Sequence, residues 1–143
     1  TYIDRYFDRY PGVARYMEET RQSAHQHGYV ETVFGRRLWL PDLKAGQQGR
    51  RQGAERAAIN APMQGTAADL IKLAMIAVQD WLTREQLQSL LIMQVHDELV
   101  LEVPDHERAR VSEALGPLMT NVAKLKVPLV VDIGIGPNWD DAH

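Results

Sequence analysis

Cysteine is absent from the 143 residues, which removes disulfides and thiolate zinc sites and fits a reducing cytosol. No apolar run approaches the roughly 20 residues that a membrane-spanning helix needs. The opening stretch, Thr1-Tyr2-Ile3-Asp4-Arg5-Tyr6, lacks the layout of a signal peptide. There is no initiator methionine, and the first residues already read as helix. The chain is therefore expected to begin inside a larger protein. No internal repeat or low-complexity tract is visible. What remains is a globular composition, 45% hydrophobic and 24% charged, suited to one domain or to a piece of a larger one.

The net charge of −3 argues weakly against a nucleic-acid binder. Its distribution is less discouraging. Between Arg36 and Arg56 there are six basic residues and two acidic ones, whereas from Asp97 onward nine acids face four bases. A basic segment and an acidic segment suit a phosphate-binding groove beside a metal-binding face, or simply two solvated surfaces.

Periodicity predicts a short helix over residues 2–10 and a second from Pro11, capped at Gly28. A small hairpin follows, Tyr29 to Phe34 and Arg37 to Leu40, around Gly35-Arg36. Pro41 to Gly49 reads as a polar loop. An alanine-rich helix starts near Arg50, and Pro62 is expected to end, kink or restart it. The next helix, 62–82, carries the apolar stripe Leu70, Leu73, Ala74, Ala77, Val78, Trp81 and Leu82. Two strands flank His96-Asp97. Pro104 opens a helix with Val111, Leu115, Leu118 and Val122 inward, and Leu129 to Ile135 reads as a final strand. The order implies an α+β fold with an antiparallel sheet.

Two constellations carry chemistry. The first is Gln94-Val95-His96-Asp97-Glu98-Leu99, with adjacent carboxylates and an imidazole where the chain reverses. A hard cation such as Mg²⁺ takes one or two carboxylates plus phosphate oxygens. The tip is either half of a metal site or a plain wet turn. The second is Arg56, Asn60 and Gln64, at i, i+4 and i+8. They share a face if the helix continues through Pro62, and alanines at 54, 57, 58 and 61 flank them. Such side chains address phosphates, sugars and minor-groove acceptors, or else face water. Gly134-Ile135-Gly136 is no dinucleotide loop, because Pro137-Asn138-Trp139 follows and no helix has room to form. His25 and His27 do not share a face well enough for a metal site.

Taken together, the run Glu55 to Asp69 (ERAAINAPMQGTAAD) and Gln94 to Leu99 (QVHDEL) resemble the family A DNA polymerases of bacteria. The resemblance extends to Gly28-Tyr29-Val30-Glu31-Thr32, to Gly35-Arg36-Arg37 and to Asn138-Trp139-Asp140-Asp141-Ala142-His143, and so spans essentially the whole chain. It implies the C-terminal palm and fingers portion of a Klenow-type polymerase domain. Residues from about 1 to 82 would be fingers and palm helices with a small hairpin. Those from about 83 to 143 would be palm strands, including the motif C hairpin, and a helix.

The resemblance also implies roles. Asp97 would be the palm carboxylate of motif C that holds catalytic Mg²⁺, with Glu98 as its auxiliary neighbour. His96 would lie near the primer terminus, and Arg56, Asn60 and Gln64 would contact the template–primer. The implied partners are DNA template–primer, deoxynucleoside triphosphates and the rest of the polymerase chain, in a bacterial, cytoplasmic, nucleoid-associated protein with no membrane contact. Motifs A and B, which bear the second aspartate and the nucleotide-holding helix, are not in this sequence. The isolated fragment is therefore expected to be inactive. Two other classes compete: a non-catalytic DNA-binding module using the Arg56–Asn60–Gln64 face, and a Mg²⁺-dependent phosphohydrolase built on His96-Asp97-Glu98.

Overall fold

The structure is a computed structural model and describes residues 1–142. The chain divides into two compact units, residues 1–66 and the remainder from Ala67.

In the first unit, α1 (Tyr2–Arg9) starts at Thr1, whose hydroxyl accepts the Asp4 amide in a capping box. Pro11 occupies the first turn of α2 (Pro11–His27), where its missing N–H is harmless. Gly28 ends α2 with φ 78°, a left-handed conformation open to a residue without Cβ. Strands β1 (Tyr29–Glu31) and β2 (Arg37–Trp39) pair antiparallel, and the Leu40 amide donates to the Gly28 carbonyl to close their base. The strands are shorter than the sequence implies because Thr32 collects the turn. Its backbone bonds Arg36 and Gly35, and its hydroxyl accepts the Phe34 amide. The predicted loop after Leu40 instead contains a 3₁₀ turn, Pro41–Lys44, anchored by buried Leu43.

The largest departure is α3 (Gln48–Arg84), one uninterrupted helix with Pro62 inside it. Proline at this point removes one backbone bond and costs about 3 kcal/mol in a helix interior. The alanines on both sides, the strongest helix formers, oppose that. Ala54 and Ala58 are buried with Ala24, Val30, Leu40 and Leu43. These two alanines thus fill the core of the first unit, rather than making room for an external partner.

In the second unit, strands β3 (Leu90–Val95) and β4 (Glu98–Glu102) form an antiparallel hairpin. The register runs Leu90↔Glu102 and Leu91↔Leu101, then Met93↔Val100 to Val95↔Glu98. Ile92 is the extra residue of a bulge. A 3₁₀ turn (Asp105–Glu107) leads into α4 (Arg108–Thr120). Val78, Trp81 and Leu82 of α3 and Val111 of α4 make the core, on which Leu91, Leu99 and Leu101 rest. The predicted stripe on α4 packs on this core through Val111, Leu115 and Leu118, with Val122 beyond the end of the helix. On α3, Val78, Trp81 and Leu82 join it, Ala74 is buried, and Leu70, Leu73 and Ala77 are half-buried.

The expected strand over Leu129–Ile135 is absent; the segment is irregular, with Val130 80% exposed. Its composition suits a strand, but a strand exists only as part of a ladder, and no described residue pairs with it. The two ladders are separate two-stranded sheets. No described helix is long and apolar enough to cross a membrane.

Candidate nucleic-acid and metal-binding residues

The continuity of α3 satisfies the condition on which the Arg56–Asn60–Gln64 constellation rested. Arg56, Asn60 and Gln64 all lie on one exposed stripe, their heads stepping about 6 Å per pair along the axis. The stripe lies outside the alanine face that packs inward. Sequence reasoning missed what stiffens its end. The Thr66 hydroxyl accepts the Val33 amide at 3.0 Å, and the Arg36 guanidinium donates to the Gly65 carbonyl at 3.0 Å. A Cβ on Gly65 would lie 2.7 Å from the Thr32 methyl. The hairpin turn is thereby docked beside Gln64. The one legible signal was a glycine inside a helical pattern, a mark of close approach.

The basic segment is less free than its composition suggests. Arg37 pairs with Glu31 at 2.7 Å and stacks on Tyr29, and Arg50 pairs with Asp42 at 2.6 Å. The two histidines expected not to bind metal have structural partners. His25 meets Glu55 at 2.8 Å, and the His27 ring meets the Ser23 carbonyl at 2.9 Å. Side chains at Gly134 or Gly136 would collide with the terminal turn Asp140–Ala142, which explains those glycines without a nucleotide. Of the terminal motif, His143 lies outside the described residues.

The Gln94–Leu99 constellation occupies the turn of the β3–β4 hairpin. His96 is its first central residue, with φ 52°. Positive φ at that position is what primed two-residue turns require, and histidine is among the few residues enriched there. The Gln94 side-chain Nε2 donates to the His96 carbonyl at 2.5 Å and braces the turn. His96 and Asp97 are exposed, whereas Glu98, already paired with Val95 on the ladder, is half-buried. One free carboxylate with a fixed neighbour fits part of a magnesium-type donor set, which draws its remaining oxygens from water and phosphate. It does not make a closed cage: no group of three or more potential ligands occurs among the described residues.

A further carboxylate escaped the sequence reading. Glu107 is buried, and its oxygens accept the Gln88 amide at 2.8 Å, the Ser89 amide at 2.9 Å and the Ser89 hydroxyl at 2.6 Å. These bonds, that from Gln88 foremost, hold its carboxyl below the usual range. Nothing in the polar run Asp105 to Arg110 distinguishes it by spacing.

The chain belongs to DNA polymerase family A, whose sequence profile matches residues 1–141. It is 58% identical over 142 residues to DNA polymerase I of Pseudomonas aeruginosa and 46% identical over 138 residues to the thermostable DNA polymerase I of Thermus aquaticus. These alignments cover 99% and 96% of the chain and 16% of each relative, so the chain spans about a sixth of their length. A solved structure, the polymerase domain of Pol1 from M. smegmatis in complex with DNA primer-template and dNTP, superposes with a TM-score of 0.95 at 44% identity. That superposition covers 98% of this chain and 25% of the other.

Proposed function

We propose that this chain is the C-terminal portion of a DNA-directed DNA polymerase that adds nucleotides to a primer 3′-hydroxyl in replication and repair. The observation that carries the reading is the exposed Asp97 carboxylate at the tip of a hairpin in a family A chain. The fingers and palm assignment, about residues 1–82 and 83–143, follows the same reading. So does a cytoplasmic, nucleoid-associated location.

Asp97, with Glu98 as auxiliary, would hold Mg²⁺. When bound, divalent metal supplies activation of the attacking hydroxyl and neutralises charge on the leaving phosphate. Asp97 contributes a fixed negative group at the place where that charge is managed, and the ladder beneath it prevents reorganisation. His96 lies beside it at the primer terminus. Arg56, Asn60 and Gln64 read the template–primer from the minor groove, where acceptors are alike for all base pairs, so geometry is checked without preference for sequence. The relative solved with primer-template and dNTP supports the same partners here. Deoxynucleoside triphosphates would be held chiefly by polymerase residues outside this chain.

Two measurements test this reading. In a polymerase carrying this chain, Arg56→Ala is expected to weaken template–primer binding by about tenfold, since one good polar contact to nucleic acid is worth about 1–3 kcal/mol. Unchanged affinity across a salt titration would remove the helix from the DNA interface. The isolated 143-residue chain is expected to give no templated extension, because one carboxylate cluster cannot position two metals. Robust extension by the purified chain would overturn that part of the reading.

A further inference from the structure

The hairpin is closed at both ends. At one end lies the His96-Asp97 turn. At the other, the chain leaves β4, passes Pro104, and returns through the 3₁₀ turn to place the buried Glu107 carboxylate on Gln88 and Ser89, just before β3. We infer that Glu107 is a positioning residue for Asp97, acting as a clasp that traps the Ile92 bulge inside the hairpin and so fixes the direction of the tip.

The reasoning is geometric. From the base, Leu90 and Leu91 pair in one register; from the tip, Met93, Gln94 and Val95 pair in a register shifted by one. The extra residue must sit between them as long as both ends are held. A bulge bends its strand and increases the local twist, and bulges near active sites re-aim side chains. Were the base released, β3 could slip by one and discharge the bulge, which would straighten the strand. Slippage by one residue also turns side chains over to the opposite face. Near the base this would move Leu91 off the core and expose it, while Leu90 turned in.

Glu107 opposes the slip with three hydrogen bonds to two successive residues, made by both carboxylate oxygens. The hydroxyl bond is specific to this register, since a shift of one would offer Leu90 in place of Ser89, with a backbone amide but no hydroxyl. Ser89 is itself buried, 3% exposed, so water could not replace the bonds freely. Asp97 is exposed on the turn that β3 and β4 carry. Its aim therefore depends on the strands beneath it.

The consequence for catalysis rests on the reading of Asp97 given above, and the test separates the two. It uses the whole polymerase carrying this chain, with Glu107→Gln, Ser89→Ala and Asp97→Ala compared to wild type well below their melting temperatures. Glutamine keeps the shape but turns an amide N–H₂ toward one of the donors. Glu107→Gln is expected to speed amide exchange at Gln94–Glu98 in metal-free enzyme. It should also raise the half-saturating Mg²⁺ concentration for extension by about tenfold, as loss of supporting contacts around metal ligands does. The template–primer Kd should stay within about twofold, because the affected tip is not the main phosphate contact.

A lowered melting temperature with unchanged tip exchange and unchanged Mg²⁺ dependence would overturn the clasp and leave Glu107 a stabilising residue only. If Glu107→Gln does not fold, Ser89→Ala decides by the same two readouts, with a smaller expected effect because both amide donors remain. If Asp97→Ala extends primers normally while Glu107→Gln loosens the tip, the clasp stands and the polymerase role of Asp97 falls. If Asp97→Ala is inactive and the tip of Glu107→Gln is undisturbed, the polymerase role stands and the clasp falls.

Discussion

Asp97→Ala, placed in the whole polymerase, is expected to lower primer extension by about a thousandfold, or about 4 kcal/mol of transition-state stabilisation. Template–primer binding should change by less than about threefold, since phosphate contacts dominate affinity and Asp97 supplies none. The substitution isolates chemistry from folding. Asp97 is exposed, and the unusual backbone angle of the turn belongs to His96. Alanine at an exposed site away from such features changes stability by no more than about 0.5 kcal/mol. Glu98→Ala should cost about tenfold in rate, consistent with an auxiliary, half-buried carboxylate. Primer extension and DNA binding measured on the same samples check both values. A binding module would be indifferent to the loss of Asp97, and a phosphohydrolase would release nucleotides without a template. Persistence of extension in Asp97→Ala would reduce the hairpin tip to a turn.

The features legible in the sequence are those set by local chemistry. Pro11 and Gly28 mark the ends of α2 because one lacks a donor and the other lacks a Cβ. The stripe through Ala74, Val78 and Trp81 shows its inward face by spacing alone. The tip carboxylates were legible because they interrupt two strand-like runs. Continuity through Pro62 was not, since the penalty is local whereas the packing of Ala54 and Ala58 that opposes it is read only in three dimensions. The strand over Leu129–Ile135 failed for the converse reason: its composition is local, but its hydrogen-bond partner must come from elsewhere. Glu107 escaped because a buried acid is recognised by its donors, and those lie 18 and 19 residues away. Arg56, Asn60 and Gln64 were legible as a stripe and no further, because an exposed polar face looks the same whether it meets water or DNA.

The core beneath the hairpin makes the largest demand on stability, and it rests on Trp81. This side chain is 9% exposed and packs with Val78, Leu82 and Val111, the group that supports Leu91, Leu99 and Leu101 of the hairpin. Trp81→Ala is expected to cost about 3–5 kcal/mol, the usual range for removing a large aromatic from a packed core. Trp39 provides an internal comparison. It is 62% exposed and touches Tyr29 edge-on at 4.9 Å. Loss of that aromatic pair should cost only about 0.5–1.5 kcal/mol. Thermal unfolding of the polymerase with each substitution, with amide exchange across β3 and β4, separates the two. Trp81→Ala should deprotect the hairpin and reduce extension with it, because Asp97 is carried by the strands that this core supports. Equal effects of the two substitutions would mean that the hairpin does not depend on this core, and the account of how Asp97 is held in place would have to be abandoned.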